Sequence, residues 1–286
     1  MKKISILICC SMVTFLTAQD DFSDVQITSE KLTDNIYTLF GAGGNIGLAI
    51  GDDAAYLIDD QFGPLTEKIA THVKTITDKP IKFVLNTHFH GDHTGGNENL
   101  GNAGAMIFAH DNVRNRMETG DEPSPTKALP VVTFNDKMTL YLGNGKSLHA
   151  MSVNPAHTDG DTYYYFPEDN VIHMGDNFFS GRYPYIDIDS GGDIDGLISN
   201  VTMALGIVDD TTQIIPGHGK MSSKADLEDY KNVLITLRER VKKARDEGNS
   251  LEKTQKMGLS KEWDATHGQG FINADKIVEF IYTSAD

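Results

Sequence analysis

Four side chains of the kind that bind metals stand within six residues of one another, namely His88, His90, Asp92 and His93. Packing alone has no use for three imidazoles and a carboxylate at this spacing. They follow the apolar run 81–85, which predicts a buried strand, and a glycine-containing loop after a strand lets alternate side chains converge. Imidazole and carboxylate ligands suit Zn²⁺ or a similar first-row ion. The segment therefore predicts a metal centre.

The His-x-His-x-Asp-His segment resembles the signature of the metallo-β-lactamase superfamily. Three later positions match the remaining metal ligands of that superfamily in the right order: His157, Asp176 and His218. The resemblance covers essentially the whole mature chain. It implies an α/β protein built as a four-layer αββα sandwich, and a two-metal site, most simply two Zn²⁺.

The resemblance also implies how the ligands divide between the two ions. The first zinc takes His88, His90 and His157; the second takes Asp92, His93 and His218; Asp176 lies between them. Two divalent ions about 3.5–4 Å apart lower the pKa of a bridging water, and one of them can polarise a substrate carbonyl. Asp92 is the candidate catalytic residue, because it could orient the nucleophile or relay a proton to the leaving group.

The substrate-binding residues are less clearly marked. The best-known β-lactamases of the superfamily carry Cys in place of Asp176 and Lys in place of Phe179. Both departures predict weak β-lactam activity. Arg182 is a candidate for the missing cation. Tyr183 and Tyr185 are candidates to donate to an oxyanion, as a tyrosine does in related lactonases.

The predicted function is cleavage of a lactam, lactone or related ester or amide in a small-molecule substrate. A bridging Asp is also the pattern of glyoxalase II thioesterases, and a mononuclear-iron persulfide dioxygenase is a further alternative. The flavodiiron branch carries a carboxylate in place of His90, which counts against it. A metal-binding or interaction protein that has lost catalysis also stays open.

Charge and cysteine content narrow these classes. The formal net charge of −16 argues against nucleic-acid binding, which needs a basic surface, and against binding to anionic lipid. Both cysteines, Cys9 and Cys10, fall in the predicted leader, so thiolate metal ligands are excluded from the mature chain.

The first 19 residues predict a secretory signal peptide. Lys2 and Lys3 precede the apolar stretch 4–16, which is too short for a membrane anchor, and small residues around Ala18 supply a cleavage site. A lipoprotein anchor at Cys9 or Cys10 is the alternative. Residues 20–286 contain no long linker, so they predict one domain, periplasmic or secreted, with no membrane contact after cleavage.

Hydrophobic periodicity predicts strands and helices alternating in two halves. Predicted strands are 35–40, 45–50, 54–59, 81–85, 138–142, 147–153, 162–166, 171–174 and 213–215. Predicted helices are 65–76, 194–205, 227–244 and 274–282. The remaining histidines, His72, His110, His149, His173 and His267, are interpreted as structural or exposed, and Asp159 and Asp161 as turn carboxylates or supports for ligands.

Overall fold

A computed structural model describes residues 22–286, so the leader predicted over residues 1–19 lies outside the described residues. The first half of the chain forms a seven-stranded sheet whose strands follow sequence order. Its strands are β1 (Thr28–Lys31), β2 (Ile36–Phe40), β3 (Ile46–Ile50), β4 (Ala55–Ile58), β5 (Ile81–Leu85), β6 (Met106–His110) and β7 (Val132–Phe134). Strands β1 to β4 pair antiparallel, and β4 to β7 pair parallel.

The second half forms a five-stranded sheet in the order β12-β11-β10-β9-β8. Its strands are β8 (Lys137–Gly143), β9 (Lys146–Ser152), β10 (Thr162–Phe166), β11 (Val171–His173) and β12 (Gln213–Ile215). Only β11 and β12 pair parallel in this sheet; the other neighbouring strands are antiparallel.

Eight α-helices connect or cover the strands in the described part of the chain. They are α1 (Thr66–Ile76), α2 (Gly91–Thr94), α3 (Asn97–Asn102), α4 (Asp111–Thr119), α5 (Ile194–Leu205), α6 (Lys224–Asp246), α7 (Leu251–Gln255) and α8 (Ala274–Ser284). The longest, α6, begins at a capping box in which Ser223 and Asp226 satisfy each other's backbone N–H groups. Among residues 22–286, no helix has the length and apolar character that crossing a membrane requires.

Three buried apolar clusters define four layers. Between the sheets, Ile58 and Leu85 of the first sheet and Leu148 and Tyr164 of the second belong to one cluster. The other two clusters join each sheet to the helices that cover its outer face. They contain Ile69 and Val73 of α1 on one side, and Leu197, Leu234 and Ile281 of α5, α6 and α8 on the other. Each fully buried side chain of this kind stabilises the fold by about 1.5–3 kcal/mol. The predicted α/β class and αββα sandwich are confirmed.

Strand ends place the candidate ligands on one edge of the sandwich. Parallel strands β4 and β5 end together, as do β11 and β12, so the residues that follow them share that edge. Hydrogen bonds across the sheets hold the two halves in place. The backbone N–H of Thr162 donates to the Thr87 carbonyl at 2.9 Å, and that of Asn45 donates to the Gly217 carbonyl at 2.7 Å.

Strands β1, β6 and β7 and helices α2, α3, α4 and α7 were not predicted from the sequence. All four residues of β1 are exposed, so it has no apolar alternation. It is held by backbone pairing with β2 and by a contact of 2.9 Å between Ser29 Oγ and His72 Nε2. Strand β7 is only three residues long. Helix α4 has few apolar residues, of which Val113 and Met117 are buried. Periodicity is a weak signal where an element is short or mostly polar.

Candidate metal centre

The structure brings all seven candidate ligands together. They come from four segments: the loop after β5 with helix α2, the loop before β10, the turn after β11, and the loop after β12. Their ligand atoms form three groups within which all atoms lie within 4.8 Å of one another. The groups are His88, His90 and His157; His88, His93 and Asp176; and Asp92, His93 and His218. The first and third groups are the two ligand sets that the family resemblance implies.

His90 and His157 point the lone pairs of their inner nitrogens at each other. His90 Nε2 lies 2.9 Å from Asp187 Oδ2, and His157 Nδ1 lies 2.8 Å from the Tyr185 carbonyl oxygen. Because both partners accept, these outer nitrogens carry the protons. The inner nitrogens, His90 Nδ1 and His157 Nε2, are only 2.8 Å apart and are both left as acceptors. Two such lone pairs repel unless a metal cation or a shared proton lies between them.

Asp59 orients the other two buried histidines in the same way. Its Oδ2 accepts from His93 Nδ1 at 2.7 Å and from the Thr87 hydroxyl at 2.7 Å. Because that hydroxyl donates to Asp59, its oxygen accepts from His88 Nδ1 at 3.0 Å. In the neutral rings the inner Nε2 atoms of His88 and His93 are therefore acceptors as well, and His88 Nε2 is buried with no hydrogen-bond partner among the described residues.

Asp176 lies between the two groups. Its Oδ2 is 3.3 Å from His218 Nε2, 3.5 Å from His157 Nε2 and 4.0 Å from His88 Nε2. Its Oδ1 is 3.1 Å from His93 Nε2, yet the two atoms are not aligned as donor and acceptor. This is the geometry of ligands that point at a common centre. Gly217 permits it, because a Cβ there would lie 2.0 Å from Asp176 Oδ1.

Asp92 closes the outer side of the site. Its Oδ2 lies 3.3 Å from His218 Nε2 and 3.7 Å from His93 Nε2, and its side chain is partly exposed to the cavity above the cluster. Asp92 is therefore the more exposed of the two carboxylates in the cluster, and it reaches the histidines from the side of the cavity.

Burial and the two carboxylates set the protonation of the cluster. Burial opposes the charged form of His218, but Asp176 and Asp92 outweigh it and raise its pKa to about 9. Burial lowers the pKa of His157 to about 4. Burial also lowers the pKa of His88, with the neighbouring imidazoles of His93 and His157 adding to the effect.

The donor set fits two divalent metal ions. Inner nitrogens of His88, His90, His93 and His157 are oriented as acceptors by partners on their other side, which is how metal-ligating histidines are supported. Two carboxylates balance the charge. His88 Nε2 and Asp176 Oδ1 are buried with no hydrogen-bond partner among the described residues, which is costly unless a cation satisfies them.

A cavity of about 810 Å³ opens above the cluster. Phe179 forms part of its wall, and its ring stacks on His218 with centroids 5.3 Å apart. Arg182 lies exposed at the wall and forms no ion pair with the described residues. Tyr185 lies beside the cluster, with its ring 5.6 Å from that of His90.

The interpretation of Tyr183 as an oxyanion donor needs correction. Tyr183 reaches the cavity wall, but its hydroxyl lies 2.9 Å from Asp264 Oδ1 and 3.1 Å from the Ser260 carbonyl oxygen. The hydroxyl is therefore engaged away from the metal cluster. Sequence order could not reveal this, because Asp264 is 81 residues further along the chain.

The glycines after β2 form a tight turn against the cluster. The Gly44 backbone N–H donates to the Asp92 carbonyl at 3.1 Å, and Gln61 Nε2 donates to the Gly44 carbonyl at 2.7 Å. A Cβ on Gly44 would lie 2.1 Å from the His93 ring. Close approach of the backbone to His93 therefore requires glycine at position 44.

Two carboxylates that orient the ligands, Asp59 and Asp187, were not predicted from the sequence. An acidic residue directly after the apolar strand β4 was a signal for Asp59; Asp187 has no such signal. Asp161 was interpreted correctly, since its carboxylate accepts from the backbone N–H of His157 at 2.8 Å. Asp159 instead pairs with Arg116 at 2.7 Å. The other histidines lie outside the metal-ligand groups found in residues 22–286.

Comparison with known proteins gives the family. The metallo-β-lactamase superfamily model matches residues 40–232. The chain therefore belongs to the metallo-β-lactamase superfamily.

Curated relatives include hydroxyacylglutathione hydrolases. The protein of Nitrosococcus oceani is 30% identical over 140 residues, which are 48% of each chain. That of Pelagibacter ubique is 27% identical over 205 residues, covering 65% of this chain and 77% of the relative. A 2,4-dinitroanisole O-demethylase subunit alpha from Nocardioides sp. is 26% identical, over 52% of this chain and 44% of its own. The chain thus spans about half the length of the first and third of these relatives.

Solved structures share the fold at low sequence identity. A metallo-β-lactamase from Pontibacter korlensis superposes with a TM-score of 0.65 at 18% identity, covering 73% of this chain and 99% of its own. The sec-alkylsulfatase Pisa1 from Pseudomonas sp. superposes with a TM-score of 0.71 at 16% identity, covering 91% of this chain and 50% of its own.

Proposed function

We propose that the protein is a binuclear zinc hydrolase that cleaves a lactam, lactone or related ester or amide bond. The observation that carries the proposal is the convergence of inner imidazole nitrogens, each oriented by a partner on its outer side, around the carboxylate of Asp176. Residues His88, His90 and His157 would hold one ion. Asp92, His93 and His218 would hold the other, with Asp176 between them.

When bound, two such ions supply an activated water at neutral pH and polarise a carbonyl oxygen. The side chains of this chain supply the rest. Asp92 Oδ2 faces the cavity, where it can orient the attacking water or pass a proton to the leaving group. Phe179 covers one face of the His218 ring. Arg182 is placed to hold an anionic group of the substrate, and Tyr185 is the remaining candidate to donate to the oxyanion.

A thioesterase of glyoxalase II type is the second candidate function. The names of several relatives favour it, since they are hydroxyacylglutathione hydrolases. Asp176 and Phe179 stand where β-lactamases carry Cys and Lys, so we expect weak β-lactam activity in either case.

The test is kcat/KM of the zinc-loaded protein on a panel of substrates: a carbapenem, a chromogenic cephalosporin, lactones, simple esters and a glutathione thioester. Asp176→Cys is measured alongside. The proposal expects turnover of lactones or esters above roughly 10⁴ M⁻¹s⁻¹, which is ordinary for enzymes, and slower lactam cleavage that the Cys variant raises. Turnover confined to the thioester would replace the proposal with the second candidate.

Metal identity is tested separately. We expect two zinc ions per chain by elemental analysis of protein purified without added metal. One iron per chain, with oxygen uptake on a thiol persulfide, would instead assign the dioxygenase alternative. We further propose export after cleavage near Ala18, checked by fractionating cells that express the full chain and sequencing the amino terminus of the periplasmic or secreted protein.

A further inference from the structure

A second cavity lies beside the metal-site cavity and shares its wall. It has a volume of about 500 Å³ and is lined on its apolar side by Ile186, Ile188 and Phe280. Tyr185, Phe271 and Ile272 line both cavities. The two cavities are therefore adjacent compartments on the same face of the protein.

The side chain of Phe271 is exposed to solvent at the boundary between the two cavities. Its side chain is 87% exposed, and its ring meets that of Tyr185 edge-on with centroids 6.1 Å apart. The neighbours fix its backbone, because Ile272 is buried and Asn273 caps α8 by accepting from the Lys276 N–H at 3.0 Å. An exposed aromatic ring on a fixed backbone is a favourable contact for an apolar ligand.

The charges around the second cavity disfavour an anionic occupant. Three carboxylates line the cavity, those of Asp187, Asp189 and Glu279, and Lys276 is the positively charged residue in its lining. Lys276 Nζ is paired with Glu279 Oε2 at 3.0 Å. Among residues 22–286, no unpaired cation lines this cavity to offset the carboxylates that an anion would meet, whereas Arg182 in the metal-site cavity has no carboxylate partner. The cavities thus suit different parts of one substrate.

We propose that the second cavity is a subsite for an uncharged apolar chain carried by the substrate, with Phe271 as its specificity-determining residue. The inference rests on the proposed hydrolase function, since the reactive bond must lie at the metal cluster. The chain would extend from there past Tyr185 and Phe271 onto Ile188 and Phe280. The substrate would then be an ester, lactone or amide with an alkyl acyl group.

Binding of linear carboxylates tests the subsite without turnover. Dissociation constants of butanoate, hexanoate, octanoate and decanoate for the zinc-loaded protein are measured by calorimetry. We expect affinity to rise by up to about fourfold per methylene that is buried. Thr283 lies on the exposed surface of α8 and lines the second cavity. Thr283→Trp should fill that cavity, and so weaken the binding of decanoate while leaving the binding of butanoate unchanged.

Phe271→Ala should likewise flatten the dependence on chain length, lowering the decanoate-to-butanoate affinity ratio by roughly tenfold or more. Tyr141→Ala is the matched control, because Tyr141 is 83% exposed and lies on β8, away from both cavities. It should change no dissociation constant. The subsite would be overturned if affinity does not rise with chain length. It would also be overturned if the variants weaken the binding of all carboxylates equally.

A parallel series of p-nitrophenyl esters separates this inference from the proposed function. Ester turnover with no dependence on chain length would leave the hydrolase proposal standing and overturn the subsite. Length-dependent carboxylate binding that Thr283→Trp abolishes, with no turnover of any ester or lactone, would support the subsite and contradict the proposed chemistry.

Discussion

Asp187 accepts a hydrogen bond from His90, with 2.9 Å between Asp187 Oδ2 and His90 Nε2. This contact determines which nitrogen of His90 faces His157. Burial opposes ionisation of Asp187, but the hydrogen bonds from His90 and Ser190 and the nearby His90 ring together outweigh it and lower the pKa of the carboxyl to about 2. Asp187 is therefore ionised at neutral pH and fixes the ring orientation.

We expect Asp187→Asn to lower zinc affinity by about 10–100-fold, because the amide no longer enforces a single tautomer of His90. Zinc affinity is measured by competition with a chromophoric chelator. Asp189→Asn, two residues along and exposed, is the matched control. Equal affinities in the Asp187 variant and the wild type would contradict this role.

Asp92→Asn tests the proposed catalytic carboxylate. The amide can still coordinate through its oxygen, but it cannot take up a proton. We expect kcat to fall by about 10²-fold or more, in line with losing a general acid or base. Metal content is determined on the same sample, because only loss of turnover with two ions retained supports the role. Wild-type turnover in the variant would refute it.

Gly44→Ala tests the contact between the glycine turn and the metal cluster. The new Cβ would meet the His93 ring at 2.1 Å, so ring or turn must move. We expect reduced zinc content and a lower melting temperature. Gly91→Ala is the control in the neighbouring loop, since a Cβ there would meet nothing within 4 Å. Similar losses in both variants would show that the His93 contact is not the cause.

Removal of metal should destabilise the protein. The inner nitrogens of His90 and His157 lie 2.8 Å apart, so one of them must take up a proton in place of the metal ion. Ligand present at a thousandfold excess over its dissociation constant adds about 4 kcal/mol to the free energy of unfolding. We therefore expect a chelator to lower the melting temperature by roughly 10 °C, and zinc, but not magnesium, to restore it. An unchanged melting temperature after confirmed removal would contradict the prediction.

His173 should make the stability fall in acid. Burial lowers its pKa below the ordinary value of 6.5, and its nitrogens bond as a neutral ring with the Asn45 carbonyl and the Gly175 N–H. The unfolded chain then binds a proton that the folded protein does not, so stability is present above pH 6.5 and is lost as pH falls below it.

His173→Asn keeps an acceptor for Gly175 but cannot titrate. We expect the free energy of unfolding of the variant to fall less steeply between pH 6.5 and 5 than that of the wild type, by up to about 1.4 kcal/mol per pH unit. Denaturant titrations across this range measure it. Parallel slopes would show that His173 does not contribute.

The sequence by itself determined which side chains could hold metal ions. Ligand types at fixed spacing, from His88 to His93, require a loop that follows a strand, and local spacing is written directly in the chain. The main strands and long helices followed for the same reason, because apolar periodicity reports which face of an element is buried. The αββα sandwich followed from the resemblance that these ligands carry.

Only the tertiary structure decided how the ligands are oriented and what surrounds them. Asp59 orients His93, 34 residues away in sequence, and Asp187 orients His90, 97 residues away. No local sequence pattern marks such contacts. The hydroxyl of Tyr183 points away from the site because it donates a hydrogen bond to Asp264. Side-chain direction and the shape of a cavity depend on packing between elements distant in sequence, so they are fixed only when the two sheets come together.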